Sequence, residues 1–208
     1  MVVGTDVVGA AGKANRFGIA RRELVLGCLA LMVSGCASRR KVVEAPSPPP
    51  PFQLAPELRR QRVAYYGTEE PGTIVVNVSE RFLYFVEEDG MATRYGVAVG
   101  EEGLTFKGRA KIGRKAEWPS WTPTANMIKR KPHLAKYAAG VPGGENNPLG
   151  ARALYLYRNG RDTMFRIHGT NEPWLIGTAV SNGCIRLTNE DIIDLYERTP
   201  TGAPVLVI

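Results

Sequence analysis

The chain reads as a mainly β protein, a sandwich or barrel-like sheet carrying one or two short helices. Three observations predict this: short runs rich in Val, Ile, Tyr and Phe, turn residues between those runs, and a single segment with strong helical periodicity. The runs are "TIVVNV" (73–78), "RFLYFVE" (81–87), "ATRYGVAVG" (92–100), "RALYLYR" (152–158), "TMFRIHG" (163–169), "TAVSNGCIRL" (178–187) and "APVLVI" (203–208). Between them, "EDG" at 88–90, "GEEG" at 100–103 and "RNGRD" at 158–162 supply residues that tolerate tight turns.

The periodic segment is "LTNEDIIDLYERTPTG". Thr188 or Asn189 can cap its first turn, Glu190 and Asp191 suit its positive end, and Ile192, Leu195 and Tyr196 fall on one face. Thr199-Pro200 stops it. A shorter helical turn is expected from Pro132 in "KPHLAKYAAG", and "VPGGENNPLG" (141–150) must be loop.

The N-terminal part has a different composition. Arg21 and Arg22 precede an apolar run from Leu24 to Val33, ten residues and too short to span a bilayer as a stable helix. It predicts the core of an export signal. The small residues before Cys36 resemble the lipobox of bacterial lipoproteins, which implies acylation of Cys36; cleavage at Gly35-Cys36-Ala37 with release of a soluble protein is the alternative. The arginine pair also has a weak likeness to a twin-arginine export signal. Five of the six residues from Pro46 to Pro51 are proline, which favours an extended spacer. The expected organisation is an export segment at 1–37, a proline-rich linker at 38–71 and a folded domain at 72–208.

Charge argues against nucleic acid as a partner. Of the 27 Lys and Arg and 20 Asp and Glu, residues 1–62 hold ten and four, so the remaining chain is nearly neutral at +1.

Cys184 poses the chemical question. Cys28 lies in the export segment and Cys36 at its end, which leaves Cys184 as the odd cysteine of an exported domain. A buried hydrophobe-like thiol is one reading. Nucleophilic catalysis is another, and it needs a base and amide donors. Gly183 lets the amides of Gly183 and Cys184 approach a developing oxyanion. Only two histidines are present, His133 and His168, and His168 stands at a predicted strand end in "RIHGTN", sixteen positions before Cys184. Such a pair is a minimal thiol acyl-transfer device. One cysteine and one histidine are too few for a zinc site, and no metal or organic cofactor is called for. His133 sits among cations in "KRKPHLAKY", where an exposed position is expected.

The segment "RIHGTNEPWLIGTAVSNGCIRLTNEDIIDLYERTPTGAPVLVI" resembles the C-terminal half of the catalytic domain of YkuD-type L,D-transpeptidases, of the ErfK/YbiS/YcfS/YnhG group. "TIVVNVSERFLYFVEEDGMATRYGVAVGEEG" is similar to that family's opening hairpin and "NNPLGARALYL" to its central strand. The resemblance covers about 72–208 and implies a β-sandwich of mixed sheets. It implies Cys184 as nucleophile, His168 as general base and the Gly169 carbonyl as the group orienting the histidine. Ser181, Gly183 and Arg186 match the rest of the signature, Arg186 as a residue holding substrate or shaping the site. The chain departs from the family at Asn182, where relatives carry a second histidine, and at Thr105-Phe106-Lys107-Gly108, where Thr-Pro-x-Gly is common. Trp118 and Trp121 are expected either to wall a substrate groove or to pack in the core. The implied partners are peptidoglycan stem peptides, with a second stem, an envelope protein or water as acyl acceptor. A non-catalytic wall-binding lipoprotein is the competing reading.

Overall fold

The computed structural model describes residues 52–208 apart from Gly103; the export segment, Cys36 and the proline run lie outside the described residues. Eleven strands are present among them: β1 (Gln61–Ala64), β2 (Ile74–Asn77), β3 (Phe82–Val86), β4 (Met91–Gly96), β5 (Val99–Gly100), β6 (Gly108–Glu117), β7 (Arg152–Arg158), β8 (Arg161–His168), β9 (Ala179–Ser181), β10 (Ile185–Arg186) and β11 (Pro204–Val207). Nine form one mixed sheet in the order β1-β4-β3-β2-β11-β6-β7-β8-β10, and β5 pairs with β9 in a second, two-stranded sheet. This is the expected class, mainly β with mixed pairing and few short helices.

Local chemistry makes the hairpins. Asp89 and Gly90 (φ 58° and 68°), and Asn159 and Gly160 (φ 52° and 75°), hold two successive left-handed positions, the geometry of two-residue type I′ turns. Those turns join β3 to β4 and β7 to β8. Large twisted sheets curl, and here the curl brings β10 round to the segment after β4. Ala98, just beyond β4, and Arg186 of β10 exchange backbone hydrogen bonds of 2.9 and 2.8 Å. The segment that follows β4 therefore meets β10, the last strand of the sheet, around one core.

That core joins Ile74, Val76, Leu83, Ile112, Leu154, Leu156, Ile167 and Ile185 to Ile192 and Leu195 of the helix α2 (Asn189–Arg198). Burying each such side chain stabilises the fold by about 1.5–3 kcal/mol. Thr188 caps α2 by accepting from the Asp191 amide at 3.1 Å. At the other end, Lys115 Nζ donates to the carbonyls of Tyr196 and Thr199 at 2.6 and 2.7 Å, which satisfies orphan acceptors of the last turn. No helix among the described residues is long and apolar enough to cross a membrane.

Three elements differ from the sequence reading. The ten-residue β6 was not expected, because its buried Ala110 and Ile112 alternate with exposed Arg109 and Lys111, residues of low strand propensity. Helix α1 (Ala125–Arg130), capped by Thr124 Oγ1, is too short to show a period; a 3-10 turn follows at Pro132–Tyr137, where a helical turn was expected. The third difference concerns the linker expected at 38–71. Its residues 61–64 form β1, antiparallel to β4, and Leu58 packs so closely that a Cβ at Gly96 or Gly177 would collide with it. Arg60 adds an ion pair to Asp194 at 3.1 Å. Strand β1 covers the edge that β4 would otherwise leave unpaired, so the folded unit begins before Gly72.

A chain begun at Gly72 is therefore expected to melt below one begun at Phe52, by about 2–4 °C for every kcal/mol that β1 and Leu58 supply. Thermal denaturation of the two chains checks this, and equal midpoints would show that β1 contributes nothing.

Candidate active site

The site is built on a short parallel pair. Strand β10 lies beside β8 with Ile185 opposite Ile167 and Arg186 opposite His168. Side chains alternate along a strand, so the two isoleucines, both fully buried, point into the core while Arg166, His168, Cys184 and Arg186 take the other face. Cys184 sits in the turn that leads into β10, half-buried and unpaired.

Two residues shape that turn. Ser181 Oγ donates to the Cys184 carbonyl at 2.5 Å and accepts from the Gly183 amide at 3.0 Å. Gly183 holds φ 117°, and a Cβ there would strike the Leu104 carbonyl and the Phe165 ring. The expected pair of oxyanion donors is thereby reduced. The Gly183 amide is committed to Ser181, and the Cys184 amide, which has no hydrogen-bond acceptor among the described residues, is the donor left.

His168 is almost fully buried. Its Nδ1 lies 2.6 Å from the Gly169 carbonyl, and since a carbonyl can only accept, Nδ1 carries the proton. In the neutral ring Nε2 is then the nitrogen without a proton, and the Leu149 backbone also lies against the imidazole. Burial pulls the imidazole down from 6.5 to about 3, the Arg186 charge adds to this, and the Gly169 carbonyl opposes it. Burial also pushes the Cys184 thiol above its ordinary 9.0, against the Arg166 backbone and the charges of Arg166 and Arg186. Thiol and imidazole both rest uncharged and make no hydrogen bond to one another.

Sequence reasoning missed the residue that holds the histidine's loop. Asn189 Oδ1 accepts from the amides of Ala151 and Thr170 at 3.0 and 3.2 Å, tying the start of β7 and the segment after His168 to the first turn of α2. A Cβ at Gly150 or Gly169 would collide with this oxygen. Asn189 was visible only as a possible cap, and Thr188 takes that position.

Cys184 lines a groove of about 680 Å³ together with Arg114, Trp121, Arg130, Tyr155 and Arg166. A second groove of about 640 Å³ is lined by Arg186, Glu172 and Tyr137, and by the exposed His133. Trp121, Arg130 and Asn182 border both grooves. Trp121 stands edge-on to Tyr137, with ring centroids 5.9 Å apart. Trp118 lines neither groove, a correction to its expected place: its amide is held by the Ala151 carbonyl at 2.8 Å and its side chain is 42% exposed. Arg186 pairs with Glu172 at 3.1 Å and faces the second groove, not the one that holds the thiol. Asn182 Oδ1 accepts from Arg130 at 3.4 Å. Among the described residues no three of His, Cys, Asp and Glu converge as a metal site would require.

Comparison with known proteins gives the family. The family model described as "L,D-transpeptidase catalytic domain" matches residues 71–207, so the chain belongs to the L,D-transpeptidase catalytic domain family. It is 38% identical over 142 residues to the Probable L,D-transpeptidase ErfK/SrfK of Escherichia coli K12, covering 65% of this chain and 43% of that protein. To the Probable L,D-transpeptidase YbiS of the same strain it is 35% identical over 156 residues, covering 71% and 48%. The chain thus spans somewhat under half the length of these curated relatives. Among solved structures, a Brucella melitensis chain is 50% identical with a TM-score of 0.51, covering 74% of this chain and 96% of that one. That chain is described as a probable carnitine operon oxidoreductase, a description that names different chemistry. An avibactam carbamoyl enzyme of Ldtfm, 17% identical with a TM-score of 0.50 and covering 67% and 49%, shares the fold.

The uncharged resting pair has a pH signature. Because the imidazole takes its proton only far below 6.5 and the thiol loses its own only above 9.0, alkylation of Cys184 by iodoacetamide is expected to show no step near 6.5 and to rise above 9.0. The rate profile from acid to alkaline pH measures this; a step near 6.5 would contradict the neutral pair.

Proposed function

We propose that the protein is an exported peptidoglycan L,D-transpeptidase with Cys184 as nucleophile and His168 as base. The observation that carries this reading is the register of β10 beside β8, which sets Arg186 opposite His168 and so brings the turn with Cys184 next to the strand that ends in a histidine whose Nδ1 proton is tied to the Gly169 carbonyl. Family membership supports it.

In the first step Nε2 takes the thiol proton as Sγ attacks the carbonyl at the L-centre of the third stem residue. The Cys184 amide faces the developing oxyanion, a contribution of about 3 kcal/mol for one donor. The tetrahedral state collapses by breaking the bond to the terminal D-Ala, whose amine leaves with the proton from His168. A thioester remains. An amine then attacks it, gives its proton to Nε2 and frees the thiol. A diamino-acid side chain on a second stem yields a 3→3 cross-link, a lysine on an envelope protein yields anchoring, and water yields carboxypeptidase activity. The site asks for no cofactor in either step.

The protein would act in the periplasm, held to a membrane through acylated Cys36. Metabolic labelling with a fatty acid is expected to mark the wild-type chain and not Cys36→Ala; equal labelling would remove the anchor.

The reaction itself is tested with a carbapenem, whose strained amide mimics the acyl donor. A covalent adduct is expected by mass spectrometry on the wild type and not on Cys184→Ala, while His168→Gln slows its formation by about 10²–10⁴. An unmodified wild-type protein would favour the wall-binding reading, and unchanged rates in His168→Gln would take the base role from that residue.

A further inference from the structure

The groove that holds the thiol is lopsided in charge. Arg114, Arg130 and Arg166 line it, and no aspartate or glutamate does. Arg166 is compensated from outside the groove, since its two terminal nitrogens meet Asp162 in a fork of 2.7 and 2.9 Å. The other two have no such partner. Neither Arg114 nor Arg130 forms an ion pair among the described residues.

Both are nonetheless held in place. The Arg114 guanidinium stacks 3.5 Å from the centre of the Tyr155 ring, and that of Arg166 lies 4.3 Å from the same centre. Two like charges thus share one aromatic ring with a single carboxylate, Asp162, between them. Such an arrangement leaves a guanidinium edge turned to an incoming anion. Arg130 reaches from the end of α1 to Asn182 Oδ1, two residues before the thiol, and borders both grooves. It gives the position that departs from the family's histidine a definite partner.

We propose that Arg114 and Arg130 are specificity-determining residues that read carboxylates on the acyl donor, so that the Cys184 groove selects an acidic stem peptide over its amidated form. The proposal rests on the transpeptidase reading. Arginine suits the task because its planar fork matches a carboxylate, whereas a carboxamide offers the fork one neutral oxygen and two clashing donors. On this account Asn182 positions Arg130 by accepting from it and takes no proton.

The test uses the full-length chain and two tetrapeptides ending in D-Ala: one with free carboxyls at its second and third residues, the other with both amidated. Removing one charge-assisted hydrogen bond at an accessible site is expected to weaken affinity about three- to tenfold. The wild type should therefore turn over the free-acid donor with a KM about tenfold or more below that of the amide, a gap that narrows as salt is raised. In Arg114→Gln/Arg130→Gln the ratio should fall towards one through KM with kcat little changed, and Arg130→Lys should restore part of it. A ratio near one in the wild type, or a preference that survives in the double variant, overturns the proposal. Binding of both peptides to Cys184→Ala, followed by calorimetry, separates this from the parent reading. Tighter binding of the free acid without acyl transfer by the wild type would keep the groove assignment and sink the enzyme, whereas transfer without a binding preference would do the reverse.

Discussion

The pairing of β10 with β8 determines where the thiol lies relative to the imidazole, and most of the fold serves to hold that pairing. Strand β10 has only two residues, far too few to stay in register alone. It is kept there by Ile185 and Leu187, both fully buried in the core, and by the backbone exchange between Arg186 and Ala98. A slip of one residue would exchange the faces, turning Ile185 towards the groove and Cys184 into the core. The Ala98 bridge, the α2 cap and the Asn189 hydrogen bonds all meet within a few residues of this pair.

Around it the polar groups are arranged by elimination of alternatives. Gly169 leaves His168 one tautomer, Ser181 takes the Gly183 amide out of play, and Glu172 occupies Arg186. What stays open among the described residues is small: the Cys184 thiol and amide, and the two arginines of the groove that form no ion pair. Each open group has a place in the acyl transfer proposed above.

The chemistry of the site was more legible in the sequence than its construction. Cys184 and His168 stood out because their residue types are rare in the chain, and α2 because a cap, a period and a proline stop agreed. Alternating apolar runs revealed most strands, and the hairpin turns carried Asp-Gly and Asn-Gly. Strand β6 escaped because its outward residues are Lys and Arg, which mask the inward Ala110 and Ile112. Strand β1 escaped because it exists only as the partner of β4, a relation that spans some thirty residues and leaves no local pattern. The role of Asn189 is likewise tertiary: nothing local says that its side chain reaches Ala151 and Thr170. Trp118 misled because two tryptophans three residues apart look alike in sequence, whereas the backbone turn at Trp118, with φ 39°, sends the two in different directions.

The uncharged thiol also bears on how long the protein lasts. Peroxides and disulfides react with thiolates, and a cysteine ionised at rest advances steadily towards sulfenic and then irreversible acids. Burial of Cys184 in the wall of its groove keeps the proton on sulfur. A thiol held in this state is slow to be spoiled by oxidants.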